Sequence, residues 1–205
     1  MVDVRKTSRD VYYFHDYVPE YKYDQDYSQS DIQVSKDILD YKEWDDNQIN
    51  FFTKELMEAI SFLTNNEMPS QVNKIGLIAV PTSKVGKRSP VERSIEIIEK
   101  WYQEGKTKAE FNCDVEIHNC SNLLERIKDV PSSHKLKPED RPKYKDHFDS
   151  LRCNGENLSR YLITFILLDD ITTKGTIMKA CRAKLIFHGA HKFYIYRLAL
   201  AETVR

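Results

Sequence analysis

The segment Phe165-Ile-Leu-Leu-Asp-Asp-Ile-Thr-Thr-Lys-Gly-Thr176 decides how the rest of the chain reads. It belongs to an apolar run, Leu162 to Leu168, that stops at two adjacent aspartates and gives way to a short hydroxyl-rich loop. A continuous apolar run of this length is how a strand buried on both faces of a parallel sheet looks. Backbone N–H groups at the start of the following helix, with the hydroxyls of Thr172, Thr173 and Thr176, compose an anion pocket suited to phosphate. Lys174 adds a positive charge, and Gly175 allows close backbone approach where a β-carbon would collide with a ligand. Asp169 and Asp170 are acceptors, so they suit sugar hydroxyls, or a hydrated Mg²⁺ that those hydroxyls share. A phosphate cradle beside hydroxyl-accepting carboxylates describes a site for a 5-phosphorylated ribose. The plainer reading is a strand that ends in an Asp-Asp turn before a capped helix.

Outward from this segment, a second apolar run, Ile75 to Val80, ends at Pro81 and predicts another buried strand. The loop after it, Thr82-Ser-Lys-Val-Gly-Lys-Arg88, offers hydroxyls at Thr82 and Ser83 and cations at Lys84, Lys87 and Arg88. Ser89-Pro90 then opens a helix through Tyr102, with Pro at a tolerated first-turn position. Upstream, Asp45-Asp46 begins a helix whose stripe is Ile49, Phe52, Leu56, Ala59, Ile60 and Leu63. Ile32 to Tyr41 reads as a strand, as does Phe111 to Ile117, and Ser121 to Lys128 as a short helix. Residues 131–147 hold three prolines and many charges, a long polar loop of the kind that carries function or disorder. A helix from Thr176 to Phe187 leads into a last strand, Lys192 to Leu200. Alternation of strands and helices in this order predicts a doubly wound, mainly parallel α/β sheet with ligands at the C-terminal ends of its strands.

The Asp-Asp segment resembles the phosphoribosyl pyrophosphate signature of type I phosphoribosyltransferases: an apolar strand, two aspartates, then a loop with Thr and Gly. Among these it is most similar to the ComF-type branch, which is linked to competence and DNA metabolism. The resemblance covers residues 72–205, more weakly 35–71, and is specific at 163–177. It implies a type I phosphoribosyltransferase-like fold over residues 35–205 with an extension, residues 1–34, before it. It implies that Asp169 and Asp170 hold the ribose 2- and 3-hydroxyls and Mg²⁺, that Thr172 to Thr176 surround the 5-phosphate, and that Thr82, Ser83 and Lys84 meet the pyrophosphate. Residues 126–148 would form a hood over the substrate, with His134, Lys135, Arg141, Lys143 and Tyr144 as candidates to reach it. The implied reaction transfers ribose 5-phosphate to an acceptor with release of pyrophosphate. The family usually carries Thr where this chain has Lys174 and Ile177, so the alternative is a regulatory or partner module that binds phosphoribosyl pyrophosphate or a nucleotide without turnover. A homodimer is the family's common assembly.

Composition narrows the remaining classes. The formal net charge of the 205 residues is −1, so no global field recruits nucleic acid or an anionic membrane, and direct nucleic-acid binding is not expected. Residues 12–27 carry six tyrosines and a phenylalanine among acidic and polar residues. Short edge strands or an ordered wrap over the main domain suit that composition, as does contact with a protein partner. The apolar runs are too short to span a bilayer, and MVDVRKTSRD lacks the apolar core of a secretory signal, so a cytoplasmic protein is expected. Cys113, Cys120, Cys153 and Cys181 make no C-x-x-C pair and read as free thiols rather than zinc ligands.

Overall fold

The computed structural model describes residues 2–8, 10–106, 115–131, 141–160 and 163–204. Its strands are β1 (Arg5–Lys6), β2 (Tyr12–Tyr17), β3 (Lys74–Ala79), β4 (Glu116–Asn119), β5 (Leu124–Arg126), β6 (Leu151–Cys153), β7 (Thr164–Thr172) and β8 (Ile195–Thr203). The helices are α1 (Gln29–Lys42), α2 (Asp46–Asn66), α3 (Pro90–Gln103), α4 (Tyr144–Asp149) and α5 (Thr176–Phe187). Six strands form one sheet in the order β1-β2-β8-β7-β3-β4, and β5 and β6 form a separate antiparallel pair. Only β1 runs against its neighbour in the large sheet; the other pairings are parallel. Helices cover both faces, as the apolar character of β3 and β7 requires. On one face Ile38, Phe52, Leu56, Ile60, Ile95 and Ile98 of α1, α2 and α3 pack on Leu77, Ile166, Leu168 and Leu198. On the other, Met178, Cys181 and Leu185 of α5 pack with the small sheet on Ile78, Phe165, Leu167 and Ala199. The chain is thus a mixed α/β fold with a mostly parallel central sheet. Among the described residues, no helix is long and apolar enough to cross a membrane.

Several elements differ from the sequence reading; the last strand, expected over Lys192 to Leu200, starts only after a 3-10 turn at Lys192–Tyr194 and runs from Ile195 to Thr203. Ile32 to Tyr41 is not a strand but most of helix α1. Its buried residues Ile32, Ser35, Ile38 and Tyr41 recur every third position, and the Ser28 hydroxyl caps its start by accepting the Asp31 amide at 3.1 Å. The buried serine breaks the apolar stripe, which hid the helical period. Ser121 to Lys128 is a single 3-10 turn followed by β5, whose pairing with β6 is a contact the local sequence does not encode. The strand expected to stop at Leu168 runs on through Asp169 and Asp170 to Thr172, because β8 pairs with it as far as Glu202. The aromatic N-terminal stretch supplies a full parallel strand rather than an edge wrap alone: β2 pairs with β8 from Tyr12↔Leu198 to Tyr17↔Thr203, and α1 spans residue 34. The strand expected over Phe111 to Ile117 lies partly outside the described residues, and β4 begins at Glu116.

Gly76 shows how tightly the sheet is packed beneath the site. It sits opposite Phe165 in the β3–β7 ladder, and a β-carbon there would lie 2.8 Å from Phe165 Cδ1 and 3.0 Å from Cys120 Sγ. Gly76→Ala should therefore lower stability by about 1–3 kcal/mol, the usual cost of overpacking a filled core, read as a lower midpoint in urea at unchanged slope.

Candidate functional site

The two aspartates stand at a topological switch point. Leu168 is the last residue of β7 that pairs with β3, opposite Ala79, and the Val80 amide donates to the Leu168 carbonyl at 2.8 Å. From β3 the chain crosses one face through α3 to β4, while from β7 it crosses the other through α5 to β8. The crevice between the C-terminal ends of such divergent strands is where open α/β sheets bind ligands. Asp169 and Asp170 lie there with β8 still paired on one side. The Asp169 Oδ1 accepts the Asp170 amide at 3.0 Å, and the Asp170 Oδ1 accepts the Ile171 amide at 2.6 Å. Each carboxylate thereby stiffens its own backbone and keeps a second oxygen for other partners.

Lys42, which the sequence did not single out, completes this group. Its Nζ lies 3.2 Å from the Asp170 Oδ2, delivered by the last turn of α1, where the helix dipole favours a cation. The preceding residue fixes that turn: the buried Tyr41 hydroxyl shares a hydrogen bond of 3.0 Å with Ser94 of α3, and the Thr53 hydroxyl of α2 meets Ser94 at 2.8 Å. Three helices are tied at one buried point, which fixes the backbone from which Lys42 extends. Burial, with the charge of Asp170 added, pushes the Asp169 carboxyl well above the usual carboxylate range, and Lys42 opposes that only in part. Asp170 in turn holds the Lys42 ammonium above its ordinary value despite burial. Tyr17, at the end of β2, is raised by burial and feels both Lys42 and Asp170.

The expected phosphate loop is compact. Gly175 adopts φ +60°, the left-handed region, directly before α5, and a β-carbon on it would come within 3.3 Å of Val11 Cγ2. Thr172 is buried in the strand opposite Glu202 rather than free in the loop. The Thr173 and Thr203 hydroxyls are 2.9 Å apart, Lys174 is exposed, and Thr176 is the first residue of α5. Ile177, where the resembled family carries Thr, packs against the core on the α5 face.

The loop after β3 is held by a segment from the small sheet. The buried Arg126 guanidinium donates to the carbonyls of Thr82 at 2.8 Å and Pro81 at 3.2 Å, and to the Ser150 hydroxyl. The Val130 amide donates to the Ser83 carbonyl at 2.9 Å. Asp129 accepts the Val85 amide at 2.8 Å and pairs with Lys84 at 2.9 Å, and these contacts hold its carboxyl below the usual range. The Thr82 hydroxyl faces the Lys84 and Lys87 carbonyls, each at 3.0 Å. Thr82 and Lys84 of the expected pyrophosphate group are thus engaged within the protein through their side chains, and Ser83 through its carbonyl. Beside them a cavity of about 300 Å³ is lined by Thr82, Arg88, Ser121, Asn122, Glu125 and Arg126, but not by the aspartates. Of the hood candidates, His134 and Lys135 lie outside the described residues. Lys143 is exposed at the start of α4, and Tyr144 packs toward α5, stacking on Phe148 with Lys179 over its face. Arg141 is half-buried just before α4.

A resident Mg²⁺ fits these residues poorly. One of the two carboxylates already carries Lys42, and burial favours the neutral form of the other, so the pair offers a cation less charge than two free carboxylates would. For zinc, Cys113 lies outside the described residues, and Cys120, Cys153 and Cys181 are free thiols. No family model matches the chain, and no curated protein matches it at a significant level.

Proposed function

We propose that the protein binds a 5-phosphorylated ribose, foremost phosphoribosyl pyrophosphate, at the C-terminal edge of its sheet, and transfers the ribose 5-phosphate to an acceptor. One observation carries this reading. An Asp-Asp pair lies on β7 just past its last pairing with β3, at the switch point. The strand's end at Thr172 is followed by the left-handed Gly175 and then the start of α5 at Thr176, with a hydroxyl- and lysine-bearing loop after the neighbouring β3. Carboxylates for hydroxyls, amides for phosphate and cations for pyrophosphate are the three things such a ligand needs. Asp169 and Asp170 would orient the sugar, Thr173 to Thr176 the 5-phosphate, and Thr82, Ser83 and Lys84 the pyrophosphate. An acceptor lone pair forms the bond to C1 while the C1–O bond breaks; its electron pair leaves with pyrophosphate, and the acceptor's proton passes to solvent. Positioning and electrostatics supply most of the rate in such a displacement. A divalent ion that arrives on the pyrophosphate is part of the substrate in this scheme.

A second reading, binding without turnover, is favoured by the hold of Asp129 on Lys84 and by Lys174 and Ile177 in the loop. Release of pyrophosphate separates the two. Phosphoribosyl pyrophosphate incubated with the protein, Mg²⁺ and a panel of nucleobases and amines should yield pyrophosphate above the rate without acceptor. Binding with no release from any acceptor would leave the regulatory module as the function. Asp129→Asn, which frees Lys84, should tighten binding of pyrophosphate itself by up to about fivefold, the worth of one exposed charge contact. Inhibition constants or calorimetry would read the change.

A further inference from the structure

We propose that Lys42 is the resident cation of the aspartate pair: its ammonium takes on Asp170 the place a divalent ion would occupy, so that the vicinal hydroxyls of a sugar phosphate are held by an ammonium–carboxylate pair. The inference deepens the ribose reading above and rests on it.

Four observations converge. Lys42 Nζ lies 3.2 Å from Asp170 Oδ2, with side chains 35% and 20% exposed, so the pair is sheltered yet open to a ligand. The Asp170 Oδ1 is already an acceptor for the Ile171 amide, which leaves Oδ2 as the oxygen that faces a cation. The end of α1 is fixed by the buried Tyr41–Ser94–Thr53 hydroxyl cluster one residue away, which places the Lys42 backbone within side-chain reach of Asp170. Lys42 also sits in the last turn of α1, where the helix dipole favours a cation. An ammonium has three donors; one serves Asp170 and the others remain for hydroxyl oxygens. Those hydroxyls donate to the carboxylate oxygens in return. The diol thus meets donors and acceptors in the arrangement that a hydrated metal beside two carboxylates would give. An ammonium cannot leave the site with the product, as a metal on the substrate can, so sugar recognition here is independent of divalent ions.

The test uses Mn²⁺ alone as the metal probe and ribose 5-phosphate as the sugar probe, because ribose 5-phosphate lacks the pyrophosphate that would import a metal. Electron paramagnetic resonance should show no specific Mn²⁺ binding to the wild-type protein and one bound ion on Lys42→Met. Ribose 5-phosphate should bind the wild type equally well in EDTA and in Mg²⁺. In EDTA, Lys42→Met should bind it about tenfold to a hundredfold more weakly, the loss of one charge-assisted hydrogen bond, and Mg²⁺ should restore part of that loss. Lys42→Arg, which keeps the charge, should remain indifferent to metal. The proposal is overturned if the wild type needs Mg²⁺ to bind ribose 5-phosphate, a result that does not depend on the variant's folding. It is equally overturned if folded Lys42→Met gains no Mn²⁺ and loses no affinity. Gain of Mn²⁺ by Lys42→Met with no sugar-phosphate binding by either protein would uphold the resident cation and sink the ribose reading.

Discussion

Phosphoribosyl pyrophosphate should bind Asp169→Asn/Asp170→Asn about tenfold to a hundredfold more weakly than the wild type, since the Asp170 carboxylate–hydroxyl bond is charge-assisted and worth roughly 1.5–3 kcal/mol, whereas Asp169, held above the usual carboxylate range, loses less. The loss should come without unfolding. Asp169 is held above the usual carboxylate range, chiefly by burial. Between the unfolded pKa of about 3.9 and the raised folded value, the unfolded chain has given up a proton that the folded chain still holds. Stability at this residue is therefore greatest below the unfolded pKa and is lost as pH rises through that window. Asparagine cannot ionise and is not subject to this loss, so the single variant Asp169→Asn should match or exceed the wild type in thermal midpoint at neutral pH. Its midpoint should also fall less between pH 4 and pH 7 than that of the wild type. A double variant that melts far below the wild type would mean that the pair is structural, and the binding result would carry no functional weight.

Arg126→Met should cost about 3 kcal/mol, seen as a thermal midpoint lower by about 6–12 °C, because a buried guanidinium leaves behind the carbonyls of Pro81 and Thr82 and the Ser150 hydroxyl. Methionine can fill the volume of the side chain but donates nothing. The same change should register at His147, which is buried in α4 with an Nδ1 that has no protein partner. Burial first, and the nearby Arg126 charge second, keep the His147 imidazole below its ordinary pKa. Its neutral form thus supports the fold above about pH 6.5, and that support is lost as pH falls toward the depressed value. Without Arg126 one of the two causes is gone, and the His147 resonance should titrate at higher pH in the variant. Loosening of the Thr82–Arg88 loop should also weaken pyrophosphate binding, whereas ribose 5-phosphate binding at the far side of the crevice should change little.

The parts of the fold legible in the sequence were those written in local pattern. The runs ending at Val80 and Leu168 announced buried parallel strands, and Ser89-Pro90 announced α3, whose capping box with Glu92 the structure contains. The Asp-Asp-Ile-Thr-Thr-Lys-Gly segment stood out because two carboxylates, hydroxyls and a glycine follow an apolar run, although its first four residues belong to β7 rather than to a loop. What stayed hidden depended on partners far along the chain. α1 was misread because Ser35 and polar neighbours dilute its apolar stripe, and that error concealed Lys42, whose role appears only when the helix end is brought to Asp170. β5 and β6 are three residues each, and only their pairing makes them strands. Arg126 and Asp129 read as members of a charged loop; their grip on residues 81–85 is a tertiary contact with no local signature. The aromatic residues of β2 announced extended structure, but not that they would lie parallel to the last strand of the sheet.

The central claim is that the aspartate crevice binds phosphorylated ribose, and calorimetric titration of phosphoribosyl pyrophosphate into the wild-type protein tests it most directly. One saturable site per chain, greatly weakened in Asp169→Asn/Asp170→Asn, is the expected result. Absence of binding to well-folded wild-type protein, with and without Mg²⁺, would contradict the claim.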